Sequence, residues 1–229
     1  MNQEQILEIR EEQQAQFQAP TKPGKKVLQA LSNVCHPLLM LTYAAIMLCV
    51  FTPLTILPMV IKAYVVGKVF FFTVLLPSLS LLLLHKLKVV GHWALRDRRD
   101  RAIPFLINTI FYALNAYSLI VDGFLSNWVM IPFYGSIVLM LVAWIVSFWW
   151  KISAHASGNA SFATMALILF VYFPETMPLW FCLLSIVLTG AVCSIRVYLG
   201  RHNLAQVGYG ALLGVFCMSM GMALCNGNI

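Results

Sequence analysis

The sequence predicts an all-α fold: a polytopic transmembrane helical bundle of about six or seven spans behind a short polar N-terminal tail. Three observations predict it. The 229 residues are 61% hydrophobic and only 10% charged, whereas soluble domains carry roughly a quarter charged residues. Mean hydropathy is +0.84, too apolar for a water-soluble globule. The apolar residues also fall into runs close to the ~20 residues that a helix needs to cross a bilayer.

Residues 1–30 read as a polar tail and linker, and 31–229 as one integral membrane domain. The tail is Gln/Glu-rich and unlike a secretory signal, which sets an apolar core directly behind a basic start. A short helix is expected over about residues 3–18, then a linker at the Pro/Gly/Lys break that includes Pro23 and Gly24. Seven apolar runs follow, at 37–61, 65–84, 104–121, 128–150, 160–174, 179–195 and 204–225. Pro53 and Pro58 are expected to bend the first. The fifth and sixth are short and joined through Pro174, Glu175 and Pro178. Trp128, Trp149, Trp150 and Trp180 fall at run ends, where amphipathic rings prefer the headgroup level.

Several residues have plain structural readings. The six cysteines lack paired C-x-x-C spacing and read as small core or lipid-facing residues rather than disulfides or zinc ligands. His36, His85 and His92 read as interfacial hydrogen bonders, and Tyr112, Asn115 and Tyr117 as interhelical ones. Gly208, Gly210 and Gly214 either let helices approach closely or shape a site.

Charge is the informative residue class. Lys and Arg outnumber Asp and Glu by 15 to 8, a net +7. In the tail, Glu4, Glu8, Glu11 and Glu12 cancel Arg10, Lys22, Lys25 and Lys26, so the whole excess belongs to the apolar remainder. With seven spans, the tail and the loops 85–103, 151–159 and 196–203 share one side. That side holds most of the basic residues, and the positive-inside rule places it in the cytoplasm. The three basic loops also carry His155, His202 and small hydroxyl or glycine positions. Arginine forks match phosphate oxygens, a neutral imidazole can attack phosphorus, and a second can protonate the leaving oxygen. The combination points to hydrolysis of a phosphomonoester at the membrane surface. His202 and Gln206, four apart, share a face if the last span begins near Arg201, and the Gln206 carbonyl can then accept the ring N–H. Haem or metal ligation by the two histidines is the weaker reading, because like charge from the arginines opposes a bound cation.

These residues resemble the motifs of the type 2 phosphatidic acid phosphatases, membrane relatives of the vanadium haloperoxidases. Arg196 and His202 have the spacing of the third family motif, with Gln206 where the family has aspartate. Ile152, Ser153, Ala154 and His155 keep the Ser and His of the second. Arg98, Arg101 and Pro104 supply the cations and proline of the first at a different separation. The resemblance implies His202 as nucleophile, His155 as acid, and Arg98, Arg101, Lys151, Ser153 and Arg196 around the phosphate. It implies no metal and no cofactor. The implied partners are a lipid phosphate or diphosphate substrate and the bilayer, not nucleic acid, and the expected location is multi-pass in a bacterial inner membrane. Gln206 can orient His202 but cannot stabilise an imidazolium as a carboxylate does. A catalytically weak or inactive protein that binds or transports a lipid phosphate is therefore the alternative.

Overall fold

The computed structural model describes residues 23–88 and 99–225. Among them every regular element is helical: α1 (Pro23–Val34), α2 (Pro37–Phe51), α3 (Met59–Phe70), α4 (Leu76–Lys86), α5 (Arg99–Asp122), α6 (Ile131–Ser147), α7 (Ala154–Tyr172), α8 (Leu179–Tyr198) and α9 (Leu204–Leu224), with short 3₁₀ turns at Pro53–Ile56 and Asn127–Met130. Six stretches are long and apolar enough to cross a membrane: Met59–Lys86, Ala102–Asp122, Asn127–Ser147 and the whole of α7, α8 and α9. Helices α1 and α2, bent by 55° at the break between them, make a seventh if counted as one broken span. The protein is thus the polytopic helical bundle that composition and run length predict.

The prolines explain where the boundaries move. Pro53 and Pro58 end a span instead of bending one. A residue before proline is pushed out of the helical region, and Thr52 is extended at φ −133° and ψ 175°, so α2 stops at Phe51. The chain then runs through the 3₁₀ turn to Pro58, and residues 62–64 lie inside α3. Pro77 disturbs the next span differently. It can give no N–H to the Thr73 carbonyl and its ring crowds that group. The ladder opens into a π turn over Phe71–Leu75 just ahead of it, and the helix continues to Lys86. At ~1.5 Å per residue the 28 residues of this span exceed a ~30 Å hydrocarbon core, so it tilts or projects beyond it. The Pro/Gly/Lys break is no linker: Pro23 takes the first position of α1, where its missing N–H costs nothing. The helix expected over residues 3–18 lies outside the described residues.

Helix α9 packs between α6 and α7, α5 covers α6, α8 covers α7, and α2 packs on α7 and α3. The interior is filled by Met47, Leu48, Leu119, Ile131, Phe133, Met165 and Leu169, all essentially inaccessible. Val171, Val187 and Leu212, each about two-thirds exposed or more, face outward as lipid-contacting side chains should. All six cysteines are free thiols. Two of the polar residues within α5 do not make the interhelical bonds expected of them. Tyr117 is 66% exposed, and neither amide atom of buried Asn115 has a partner among the described residues. At the end of the bundle away from the basic loops, Lys68 pairs with Asp122 at 2.7 Å, joining α3 to α5.

Glycines set how closely α9 approaches. A Cβ at Gly214 would collide with the Ser157 carbonyl oxygen. One at Gly210 would lie 2.9 Å from the Ser153 carbonyl, and one at Gly221 2.5 Å from Gly135 N and Ile131 O. Ser161 Oγ donates to the Gly214 carbonyl at 3.0 Å across the same contact. Gly208 meets nothing within 4 Å. The two glycine readings from sequence therefore separate: Gly210 and Gly214 are packing positions and Gly208 is not. Gly214→Ala should destabilise the detergent-solubilised protein by about 1–3 kcal/mol, the usual cost of overpacking. Gly208→Ala should be neutral or stabilising by ~0.5–1 kcal/mol, since alanine only removes glycine's backbone entropy cost there. Thermal unfolding of both variants in one detergent checks the contrast.

Candidate functional site

The chain brings the ends of several helices together around one cavity of about 300 Å³. Its walls combine Lys151 from the loop before α7, His155 from the first turn of α7, Arg196 from the end of α8, and Arg201 and His202 from the turn before α9. Apolar surface comes from Leu38, Pro77, Leu81, Phe105 and Met140. The described lining residues include three fixed cations and three histidines, with no carboxylate. Helices α2, α7 and α9 all begin at this cavity, so their N-terminal partial charges add to its positive potential.

The turn between α8 and α9 is built by local rules. Gly200 adopts φ +65°, the left-handed conformation that glycine takes without a Cβ clash. Gly200 N–H donates to the Val197 carbonyl at 2.9 Å and Arg201 N–H to the Arg196 carbonyl at 3.1 Å, the paired bonds of a Schellman C-cap. This tight reversal puts Arg196 and Arg201 on the same cavity. Two residues later a new helix starts. Asn203 Oδ1 accepts from Gln206 N–H at 2.8 Å, and Gln206 Oε1 accepts from Asn203 N–H at 3.4 Å, the reciprocal pattern of a capping box.

That capping box decides the chemistry of His202. Its Nδ1 lies 3.0 Å from Gln206 Oε1, and the Asn203 N–H points at the same atom. An atom that accepts from a backbone N–H is the amide oxygen, not the amide nitrogen. The ring must then donate, so neutral His202 carries its proton on Nδ1 and a lone pair on Nε2. The four-residue spacing of His202 and Gln206 produces this contact because α9 begins at Leu204. Gln206 itself does not line the cavity. It also has a purely local reason to be glutamine, as the third helical residue of the capping box.

Ser153 joins the second loop to the third. It is fully buried. Its Oγ accepts from Ala156 N–H at 3.4 Å as the N-cap of α7, and its own N–H donates to the Gln206 carbonyl at 3.2 Å. Its Oγ thus serves the cap, and Ser153 is not among the cavity-lining residues. Arg196 Nη1 donates to Ser32 Oγ at 3.4 Å, joining α8 to α1. The His155 ring packs edge-to-face against His36, centroids 5.1 Å apart. Arg101 lies in the first turn of α5; its side chain, all of Arg98, and His92 lie outside the described residues.

Sequence reasoning missed part of the site. Gln29 and Asn33 of α1, His36 at the cap of α2, Asn108 of α5 and Arg201 also line the cavity. His36 is therefore part of the site and not an isolated interfacial group. Arg201 had a local signal, standing between Gly200 and His202. The others had none, because their proximity depends on how α1, α2 and α5 pack. Comparison with protein-family models, with curated proteins and with solved structures finds no match to this chain.

With histidine labelled in ¹⁵N, neutral His202 should show the Nδ1–H tautomer. Gln206→Leu, which removes the acceptor, should abolish that preference, and ¹⁵N chemical shifts of both proteins in detergent report it directly.

Proposed function

We propose that this protein is a membrane-embedded lipid phosphate phosphatase that works through a phosphohistidine on His202. The observation that carries the reading is the convergence of Lys151, His155, Arg196 and His202, from two loops far apart in the chain, on one cavity without a described carboxylate, with the His202 proton held on Nδ1 by Gln206. A dianionic headgroup matches that charge, and Arg196, Arg201 and Lys151 supply the clamp that stabilises a transferring phosphoryl group. Arg98 and Arg101 are assigned to the same clamp by the motif resemblance.

The steps balance without an added reagent. The Nε2 lone pair of His202 attacks phosphorus in line, the bond from phosphorus to the lipid oxygen breaks, and His155, protonated when the dianionic headgroup is bound beside it, gives its proton to that oxygen. Water then attacks the phosphohistidine, the P–N bond breaks, and His155 takes the proton from water. Lipid alcohol and inorganic phosphate leave, and both histidines return to their starting states. The apolar wall from Pro77 and Leu81 on α4 and Phe105 on α5 lies beside the cations. It suits the first carbons of a lipid chain entering sideways from the bilayer.

Gln206 supports a second reading. An amide orients the imidazole but adds no negative charge as the ring becomes cationic during attack, and in a serine protease triad losing that charge costs ~10⁴ in rate. A protein that binds or carries a lipid phosphate and turns it over slowly fits the same cavity.

Purified protein in detergent, offered phosphatidic acid with a metal chelator present, should release phosphate. His202→Ala should cut release by at least a thousandfold, as loss of a nucleophile does. Equal release from both proteins would refute the nucleophile assignment, and saturable binding without release would select the binder. Gln206→Glu keeps the reach of the capping box and adds the missing charge. It should raise the single-turnover rate at least about tenfold if that charge limits the reaction; a fall would show that the neutral amide is required.

A further inference from the structure

We infer that His36 is an anion-binding residue of this cavity, donating a hydrogen bond from Nε2–H to an oxygen of the bound phosphate. The inference rests on the proposed reading that the cavity takes a phosphate, and adds to it a residue from outside the three basic loops.

The tautomer of His36 follows from backbone geometry. As N-cap of α2 it has extended dihedrals, φ −70° and ψ 137°, and its Nδ1 accepts from Leu38 N–H at 3.3 Å. Accepting requires a lone pair on Nδ1, so neutral His36 carries its proton on Nε2. This is the reverse of His202, whose Nδ1 donates. The cavity thus holds two neutral imidazoles in opposite tautomers, one presenting a lone pair from Nε2 and the other an N–H.

The surroundings favour an anion as the recipient of that N–H. His36 lines the cavity with Arg196, Arg201 and Lys151. Among the described residues its Nε2 has no hydrogen-bond partner, and the T-shaped contact with His155 fixes the plane of the ring. A neutral donor is useful beside three permanent cations. It adds a directed bond to a phosphate oxygen without the repulsion that a further positive charge would feel. The same bond places the headgroup against His155, which the proposed mechanism needs close to the leaving oxygen.

Two substitutions separate this role from helix capping. Asparagine and aspartate are among the best N-cap residues. Either can accept the Leu38 N–H, and neither presents a donor where Nε2–H stands when asparagine's oxygen is used for the cap. Binding of inorganic phosphate, and of phosphatidic acid in mixed micelles, would be measured for the full-length wild type, His36→Asn and His36→Asp, with thermal unfolding alongside. The expected result is unchanged unfolding temperature for His36→Asn with roughly tenfold or greater loss of affinity, the usual weight of a hydrogen bond to a charged group. His36→Asp should lose more, because its carboxylate faces the anion. Loss in the phosphatidic acid arm alone would assign the bond to a lipid headgroup, and loss in both arms to phosphate in general. Wild-type affinity in either folded variant for both probes would overturn the role of His36. Absence of saturable binding by the wild type itself would overturn the functional reading beneath it.

Discussion

The site depends on the close approach of two helix backbones, α7 and α9. Gly210 and Gly214 leave no side chain between them, and the carbonyls of Ser153 and Ser157 occupy the space that a Cβ would need. One hydrogen bond at the head of this contact, from Ser153 N–H to the Gln206 carbonyl, ties the His155 loop to the His202 turn. With no water to squeeze out from between them, membrane helices associate through such packing and through hydrogen bonds between them. The packing that stabilises the bundle and the packing that assembles the site are therefore the same contact.

Electrostatics divides the molecule in two. At one end Lys68 meets Asp122 and its charge is matched. At the other, Lys151, Arg196 and Arg201 surround a cavity whose described lining has no acid, beside the starts of three helices. Gathering partly buried cations in this way suits a site that an anion can enter. Part of the chain's net +7 thus stands around this cavity, at Lys151, Arg196 and Arg201. Gln206 fits this setting in two ways: its amide completes the cap of α9 and fixes the His202 tautomer while adding no charge.

How much of this was legible in the sequence varies with range. The relation of Arg196, Arg201, His202 and Gln206 is local, because a glycine C-cap followed at once by an Asn/Gln capping box sets it within a few residues. Spacing alone was enough to propose the His202–Gln206 contact. His155 and Lys151 were found by residue type and loop side. Ser153, expected at the phosphate, is buried where it caps α7 and does not line the cavity, which no spacing could reveal. Ser32 was not found, and His36 was read only as an interfacial hydrogen bonder, not as part of the site. Ser32 meets Arg196 across a sequence separation of 164 residues, and the tail around it looked like a linker because Pro23 and Gly24 resemble a break as readily as a helix start.

By itself the sequence determined the class of the molecule: an apolar helical bundle in a membrane, with most of its basic residues in loops that share one side. Hydrophobic run length and charge placement decide those properties, and neither depends on which helix touches which. Only the tertiary structure decided that α9 lies between α6 and α7, that α1 turns polar residues into the cavity, and that two histidines there hold opposite tautomers. Those outcomes depend on backbone contacts a few ångströms across, between residues far apart in the chain. Composition and periodicity carry no record of them.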